Sequence, residues 1–363
     1  MITAAFTTGK GALPRKRLQR GVSIVELMIS LAIGAMLIAG LTQVFMGTRT
    51  TYELQDSLSR VQENSRFAYH FLAREIRQAG SSGCAGRGED DMMLCQPGVD
   101  NCPEGSDTEF LFDLDPDRGL EAYEVNDLPS DIRDGLDPQP LDGNPVLVIR
   151  GAVSGELPLR SGQSSGQNVH VQTPHDVQAG EILAISDCEM TSTFQVTANP
   201  QSDSPSLTHN TGGSAHPGNQ SGKPSRPYAE GASIVRLGTS VFYLAENQDG
   251  EPALYRSLNT GIGSGEVEPS EELVEGVERM GLEFGMATVR RGETGEFRSI
   301  DEISPVQWPD VVSVRMSLLV RDNRENIRDD SQTLHFMGQD LDFDDRRLRH
   351  VVNGTVTLRN RAQ

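Results

Sequence analysis

One carboxylate sits where a carboxylate is costly. Glu26 is the single charge in VSIVELMISLAIGAMLIAGLTQVF, from Val22 to Phe45. About 20 apolar residues are enough to cross a bilayer as a helix. A charged group at that depth costs about 2.5–3.5 kcal/mol even on insertion scales, so it calls for an oppositely charged partner. The four cysteines, Cys84, Cys95, Cys102 and Cys188, are a second candidate group. Outside the cytoplasm an even number reads as two disulfides, with three connectivities open. A local clip Cys95–Cys102 with a tie Cys84–Cys188 is the preferred pairing. Zinc fits less well, because CxxC spacing and nearby histidines are lacking. Asp113, Asp115, Asp117 and Glu124 have the offsets of a calcium loop, with Leu120 at a usual apolar position. However, Arg118 stands where that loop needs glycine and Pro116 stiffens the turn, so a solvated acidic loop is the better reading.

Catalytic patterns are missing. The sequence has no HExxH, GxSxG or Walker loop, and Gly261-Ile262-Gly263-Ser264-Gly265 lacks a strand–helix frame. Of the scattered histidines, His70 falls on a helix and His209 and His216 fall in a Ser/Pro/Gly-rich loop, where packing or solvated roles suffice. The chain is therefore read as no enzyme, with no cofactor and no resident metal.

The elements that position Glu26 follow from charge and periodicity. Net charge is −20, yet residues 1–21 carry Lys10, Arg15, Lys16, Arg17 and Arg20 and no acid, leaving −25 on the rest. A basic end before an apolar span puts the N-terminus in the cytoplasm and the body outside. The acidic body argues against nucleic acid, which needs clustered Lys and Arg. A secretory signal is excluded by the length of the apolar run and the poor cleavage site at Phe45-Met46-Gly47-Thr48. A plain membrane anchor leaves Glu26 unexplained.

Beyond Thr48, Leu54, Leu58, Val61, Ala68, Leu72, Ile76 and Ala79 recur at helical spacing. No proline falls between Pro14 and Pro97, and Gly80-Ser81-Ser82-Gly83 is a stop signal. Residues 22–79 thus read as one helix, about 87 Å long. Gly34 and Gly40 weaken it locally or serve close helix packing. Glycine (37), proline (19) and few aromatics (5%) predict a loop-rich body. Strand candidates are Val146–Arg150, Val169–Thr173, Ile182–Ser186, Phe194–Thr197, Ser233–Leu237, Val241–Ala245, Ala253–Ser257, Gly281–Ala287, Val311–Val320 and Val351–Leu358. Asn247–Gly250 is a hairpin signal, and Glu272–Arg279 reads as a short helix. Stretches 87–145 and 198–231 read as surface loops. The expected fold is α+β, a long N-terminal helix packed on a C-terminal antiparallel sheet domain with long loops.

Arg20-Gly21-Val22-Ser23-Ile24-Val25-Glu26-Leu27 resembles the class III signal of type IV pilins and type II secretion pseudopilins. GEPALYR (250–256), LVEGV (273–277), Trp308 with VVSVRMSLLVR (311–321), and the terminus ending in TLRNR resemble the PilW family of minor pilins. Ile182–Cys188 followed by Phe194-Gln195-Val196-Thr197 fits the same pattern. The resemblance implies a leader at 1–21, a helix at 22–80 and a periplasmic or extracellular body at 81–363. It implies cleavage between Gly21 and Val22, N-methylation of Val22, and pairing of Glu26 with a neighbouring subunit's amine. The family usually has Phe where Val22 stands. Implied partners are a prepilin peptidase, other minor pilins, the major pilin, the inner-membrane assembly platform and a tip adhesin. The implied route runs from a single-pass inner-membrane protein to the pilus at the cell surface, with a part in priming assembly. The rival readings are a type II secretion minor pseudopilin and a membrane-anchored periplasmic protein of other function.

Overall fold

Ile24–Gln78 forms one α-helix, α1, close to the expected 22–79. Gly80, at φ +73, ends it in the left-handed conformation that favours glycine. A computed structural model describes residues 21–83, 89–92, 94, 118–153, 156–160, 168–211, 217–228, 231–261, 269–288 and 294–361. The chain divides into two compact units, residues up to Leu54 and residues from Gln55 onward.

After α1 come β1 (Glu89–Met92), β2 (Leu120–Tyr123), the single turn α2 (Ser130–Arg133), β3 (Val146–Ala152) and β4 (Leu157–Pro158). Next are β5 (Asn168–His170), β6 (Ile182–Ser186), β7 (Met190–Gln195) and β8 (Ser206–Thr208). The C-terminal part supplies β9 (Ser233–Glu246), β10 (Pro252–Asn259), β11 (Glu271–Glu275), β12 (Val277–Ala287) and β13 (Thr294–Arg298). It closes with β14 (Val311–Arg321), β15 (Gln332–Phe336), β16 (Gln339–Phe343) and β17 (Arg349–Thr357).

The described strands make a nine-stranded sheet, a four-stranded sheet β13-β12-β14-β17, and the ribbons β15-β16 and β5-β8. In the large sheet, β9 takes β3 and β4 along one edge and β6 and β10 along the other. All described pairs are antiparallel except β1 with β7. The second unit's part of α1 buries Val61, Ala68, Leu72, Ala73 and Ile76 in a core shared with Leu147, Phe242 and Leu254 of the large sheet. Val314, Met316 and Leu318 of the small sheet lie in the same core. The fold is α+β, with the long helix on antiparallel sheet, as the sequence predicts.

Several local expectations shift. The buried stripe begins at Ser57 and includes Ser65, while Leu54 and Leu58 stay 38% and 42% exposed. Small residues replace leucine where the sheets approach, and the Ser65 hydroxyl is satisfied by donating to the Val61 carbonyl at 2.6 Å. Glu272–Arg279 is not a helix but the corner between β11 and β12, turned by Gly276 at φ +83 against the Arg321 carbonyl. The two runs predicted around residue 240 are one strand, β9. Stretch 87–145 is only partly loop. It contains β1 and β2, and Val125, Leu128, Ile132 and Leu136 cover the outer face of β3, β9 and β10. Stretch 198–231 likewise supplies β8, and Leu207 and Tyr228 join a separate apolar cluster. Both faces of the large sheet are apolar, so each needs a covering layer.

Candidate functional site

Gly21, Val22 and Ser23 are non-helical, and α1 begins at Ile24. The first intrahelical bond runs from Leu27 N–H to the Ser23 carbonyl at 3.0 Å. Glu26 therefore lies in the first turn, where the unpaired N–H groups and the helix dipole favour a negative charge. Gly21 has open space around its α-carbon, and Val22 is 70% exposed. The peptide between them is reachable and lies just outside regular helix. From Gly21 to Thr50 every residue except Gly34 is exposed. This part of the helix is long and apolar enough, by length and composition, to cross a membrane.

The serine and threonine hydroxyls within this part of the helix are satisfied locally. Ser30, Thr42 and Thr48 donate to the carbonyls of Glu26, Ile38 and Val44 at 2.7–2.8 Å. Thr50 and Thr51 do the same toward Met46 and Gly47. In lipid an unpaired hydroxyl is expensive, and back-bonding to the carbonyl four residues earlier removes that cost. Among the described residues the Glu26 carboxylate has no such internal partner. It remains the unanswered charge of the segment.

Residues 16–42 match the family model of the prokaryotic N-terminal methylation motif. Residues 241–360, from the middle of β9 to beyond β17, match the model of Type IV Pilus-assembly protein W. The two matches together support a type IV pilin-like protein of pilus assembly, similar to PilW. No curated protein and no solved structure matches it. These families are components of pilus structure and assembly, in keeping with the absence of catalytic motifs in the sequence. The methylation signal and the apolar helix fit anchoring in the inner membrane before assembly into a pilus.

Other predicted residues are more scattered. Cys188 is disulfide-bonded, at φ +68 just past β6. Cys84, Cys95 and Cys102 lie outside the described residues, as do Asp113, Asp115 and Asp117. Glu124 is exposed at the start of a 3-10 turn, and no metal-ligating cluster occurs among the described residues.

Three features of the PilW-like body escape sequence reading. Arg324 reaches Ser57 at 2.7 Å and Asp56 at 3.1 Å on α1, while Asp322 lies 3.6 Å from Arg60. Burial pushes the Asp322 carboxyl up, but hydrogen bonds from the Arg324 backbone and guanidinium and from Ser57 prevail and lower it. Arg349, 4% exposed, grips Glu278 and Asp345 at 2.6–3.2 Å. His209, read as a loop residue, is fully buried against Phe194 with neither ring nitrogen hydrogen-bonded. Burial pushes its pKa down to about 4. The density of arginine and acid in RDNRENIRDD and LDFDDRRLRH was the available signal for the first two. His209 gave none.

Proposed function

We propose that the chain is a minor pilin, cut between Gly21 and Val22 by a prepilin peptidase and N-methylated on Val22. It then joins other minor pilins in priming a type IV pilus, at the tip. The observation that carries this reading is the lone Glu26, five residues from the cut in the first turn of an exposed apolar helix. Two charges that are each costly in lipid neutralise one another when Glu26 meets the new amine of a neighbouring subunit. Removal of residues 1–21 also discards the +5 leader that holds the chain in its insertion topology. The peptidase, the assembly platform, the major pilin and a tip adhesin are the partners in this scheme. The match over residues 241–360 supports a pilus over a secretion pseudopilus.

Cys188 pairs with Cys84 in this proposal, leaving Cys95 with Cys102. The support is local: a side chain built on Gly83 would meet the Ser186 Cβ at 3.8 Å, which brings the chain beside β6 one residue before Cys84.

N-terminal mass spectrometry of the protein, recovered with and without the peptidase, tests the processing. A terminus at Val22, heavier by one methyl group and absent without the peptidase, is expected. An intact leader in both strains refutes the scheme. Glu26→Ala is expected to leave the body folded and impair incorporation into pili, and normal piliation by that variant counts against the pairing role.

A further inference from the structure

Strand β17 forms one border of the four-stranded sheet and pairs with β14 in an unbroken register from Arg349↔Arg321 to Thr357↔Ser313. Leu358 N–H donates to the Val312 carbonyl at 2.9 Å, so even-numbered positions turn their backbone groups toward β14. Odd-numbered positions turn theirs outward. The two ends of that outward row are already met. Gln332 uses its amide to cap both backbone groups of Arg349, at 2.9 and 3.0 Å, and Arg359 N–H donates to the Arg77 carbonyl at 3.1 Å. Between them, the backbone groups of Val351, Asn353, Thr355 and Thr357 have no hydrogen-bond partner among the described residues.

Exposed edges are normally blunted by charge, bulge or shortness. Most of the other described edges follow that rule, and the uncharged β15 is only five residues long. β11 carries Glu271, Glu272 and Glu275 and a register shift, and β13 carries Glu296 and Arg298 and a register shift. β1 reads EDDM, β16 holds Asp340 and Asp342, and β2, β4, β5 and β8 have four residues or fewer. β17 breaks it. Val351–Thr357 reads VVNGTVT, with no charge, no proline and no bulge, and Asn353, Thr355 and Thr357 are exposed.

We infer that β17 is a docking edge that accepts an extended, β-branched strand from a different polypeptide, flanked by carboxylates. The flanking charge comes from Arg359 and Arg77. Both are exposed, neither makes an ion pair among the described residues, and the Arg359–Arg77 backbone bond makes them neighbours. The same charges disfavour a second copy of this chain. Parallel in-register pairing of two copies sets the unpaired Arg359 and Arg77 of one against the same residues of the other. This inference rests on the backbone of the folded body and stands whether or not the leader is processed as proposed.

The test is residue-resolved amide hydrogen exchange on the full chain in detergent. The probe is a synthetic peptide of alternating valine and threonine with a glutamate at each end. In the free chain, amides 352, 354 and 356 should exchange slowly and 351, 353, 355 and 357 fast. Saturating peptide should slow the odd-numbered set by about tenfold or more, leaving the even-numbered set unchanged. A lysine-ended peptide should bind more weakly, and Arg359→Glu should reverse that preference. Thr355→Pro removes an outward N–H and no bond to β14, so it should abolish peptide binding without shifting the unfolding transition. If that variant does not fold, Thr355→Lys places a blunting charge on an exposed position and should have the same effect. Odd-numbered amides already slow in the free chain, unaffected by the peptide, or slowed together with the even-numbered ones would each overturn the inference.

Discussion

Arg349 is the side chain whose removal separates a structural ion-pair network from a decorative one. Its guanidinium donates to Glu278 at 2.7 and 3.2 Å and to Asp345 at 2.6 and 2.7 Å, and lies 3.9 Å from the centroid of the Phe343 ring. Burial works against its charge, but the two carboxylates prevail and raise its pKa, while Asp345 is held down at about 2. Breaking a buried pair by deleting one partner costs about 3–5 kcal/mol, mostly from the charge left behind. Here neither carboxylate is orphaned. Glu278 keeps Arg321 at 3.3 Å, and Asp345 keeps the Arg347 N–H at 3.1 Å. Arg349→Met should therefore fall at the low end, about 3 kcal/mol, including roughly 0.5–1 kcal/mol for the lost ring contact. Glu278→Gln leaves Arg349 paired with Asp345 and should cost about 1–2 kcal/mol. Urea unfolding followed by Trp308 fluorescence reads both variants. Trp308 is the only tryptophan, 4% exposed, edge-on to Phe284 at 4.9 Å. An Arg349→Met variant as stable as the parent, or the reverse order of the two variants, refutes the reasoning.

Leu72→Ala should cost about 2–5 kcal/mol in the same assay, since Leu72 is fully buried between α1 and both sheets. Gly354→Ala should destabilise by about 1–3 kcal/mol, because a β-carbon there meets the Tyr69 hydroxyl. Tyr69→Phe in the same chain should recover part of that loss. His209 predicts a pH dependence. Its folded-state pKa, about 4, lies below the usual value near 6.5, so the unfolded chain binds the extra proton between the two. Stability is then complete above pH 6.5 and declines by up to about 3 kcal/mol as the pH falls toward 4. His209→Phe should flatten that decline, and an unchanged slope in the variant counts against the assignment.

The N-terminal half of α1 was legible because membrane physics leaves few options. A long apolar run with one acid has one secondary structure and one difficulty, and both are readable from composition. Strand identity was legible where β-branched residues cluster, as in Val311–Arg321. There Val314, Met316, Leu318 and Val320 do face the common core. The same strand also buries Ser313 and Ser317 on its other face, which alternation alone assigns to solvent. Glu272–Arg279 failed for the opposite reason. Leu273, Val277 and Met280 keep a helical spacing, but Gly276 and pairing with β10 and β14 override it. Networks such as Arg324 with Asp56 join residues far apart in sequence, and no local pattern announces them.

The two parts of the body differ in what depends on them. The cluster of Val169, Leu183, Ile185, Phe194, Leu207, Tyr228 and Ile234 is built within residues 157–234 and takes no side chain from α1. The cluster that holds α1 draws on β2, β3, β9, β10 and on β12, β14 and β17 of the small sheet, and most of those strands lie in the stretch matched to Type IV Pilus-assembly protein W. Apolar burial is roughly additive between clusters that share no contacts. Changes inside the 157–234 cluster should therefore alter the stability of that region while leaving the helix seated. Changes at Leu72, Met316 or Leu318 should loosen the helix itself. If filament incorporation depends on how α1 is held, core substitutions of equal size in the two clusters should be unequal in their effect on piliation. The larger effect should come from the helix-bearing core.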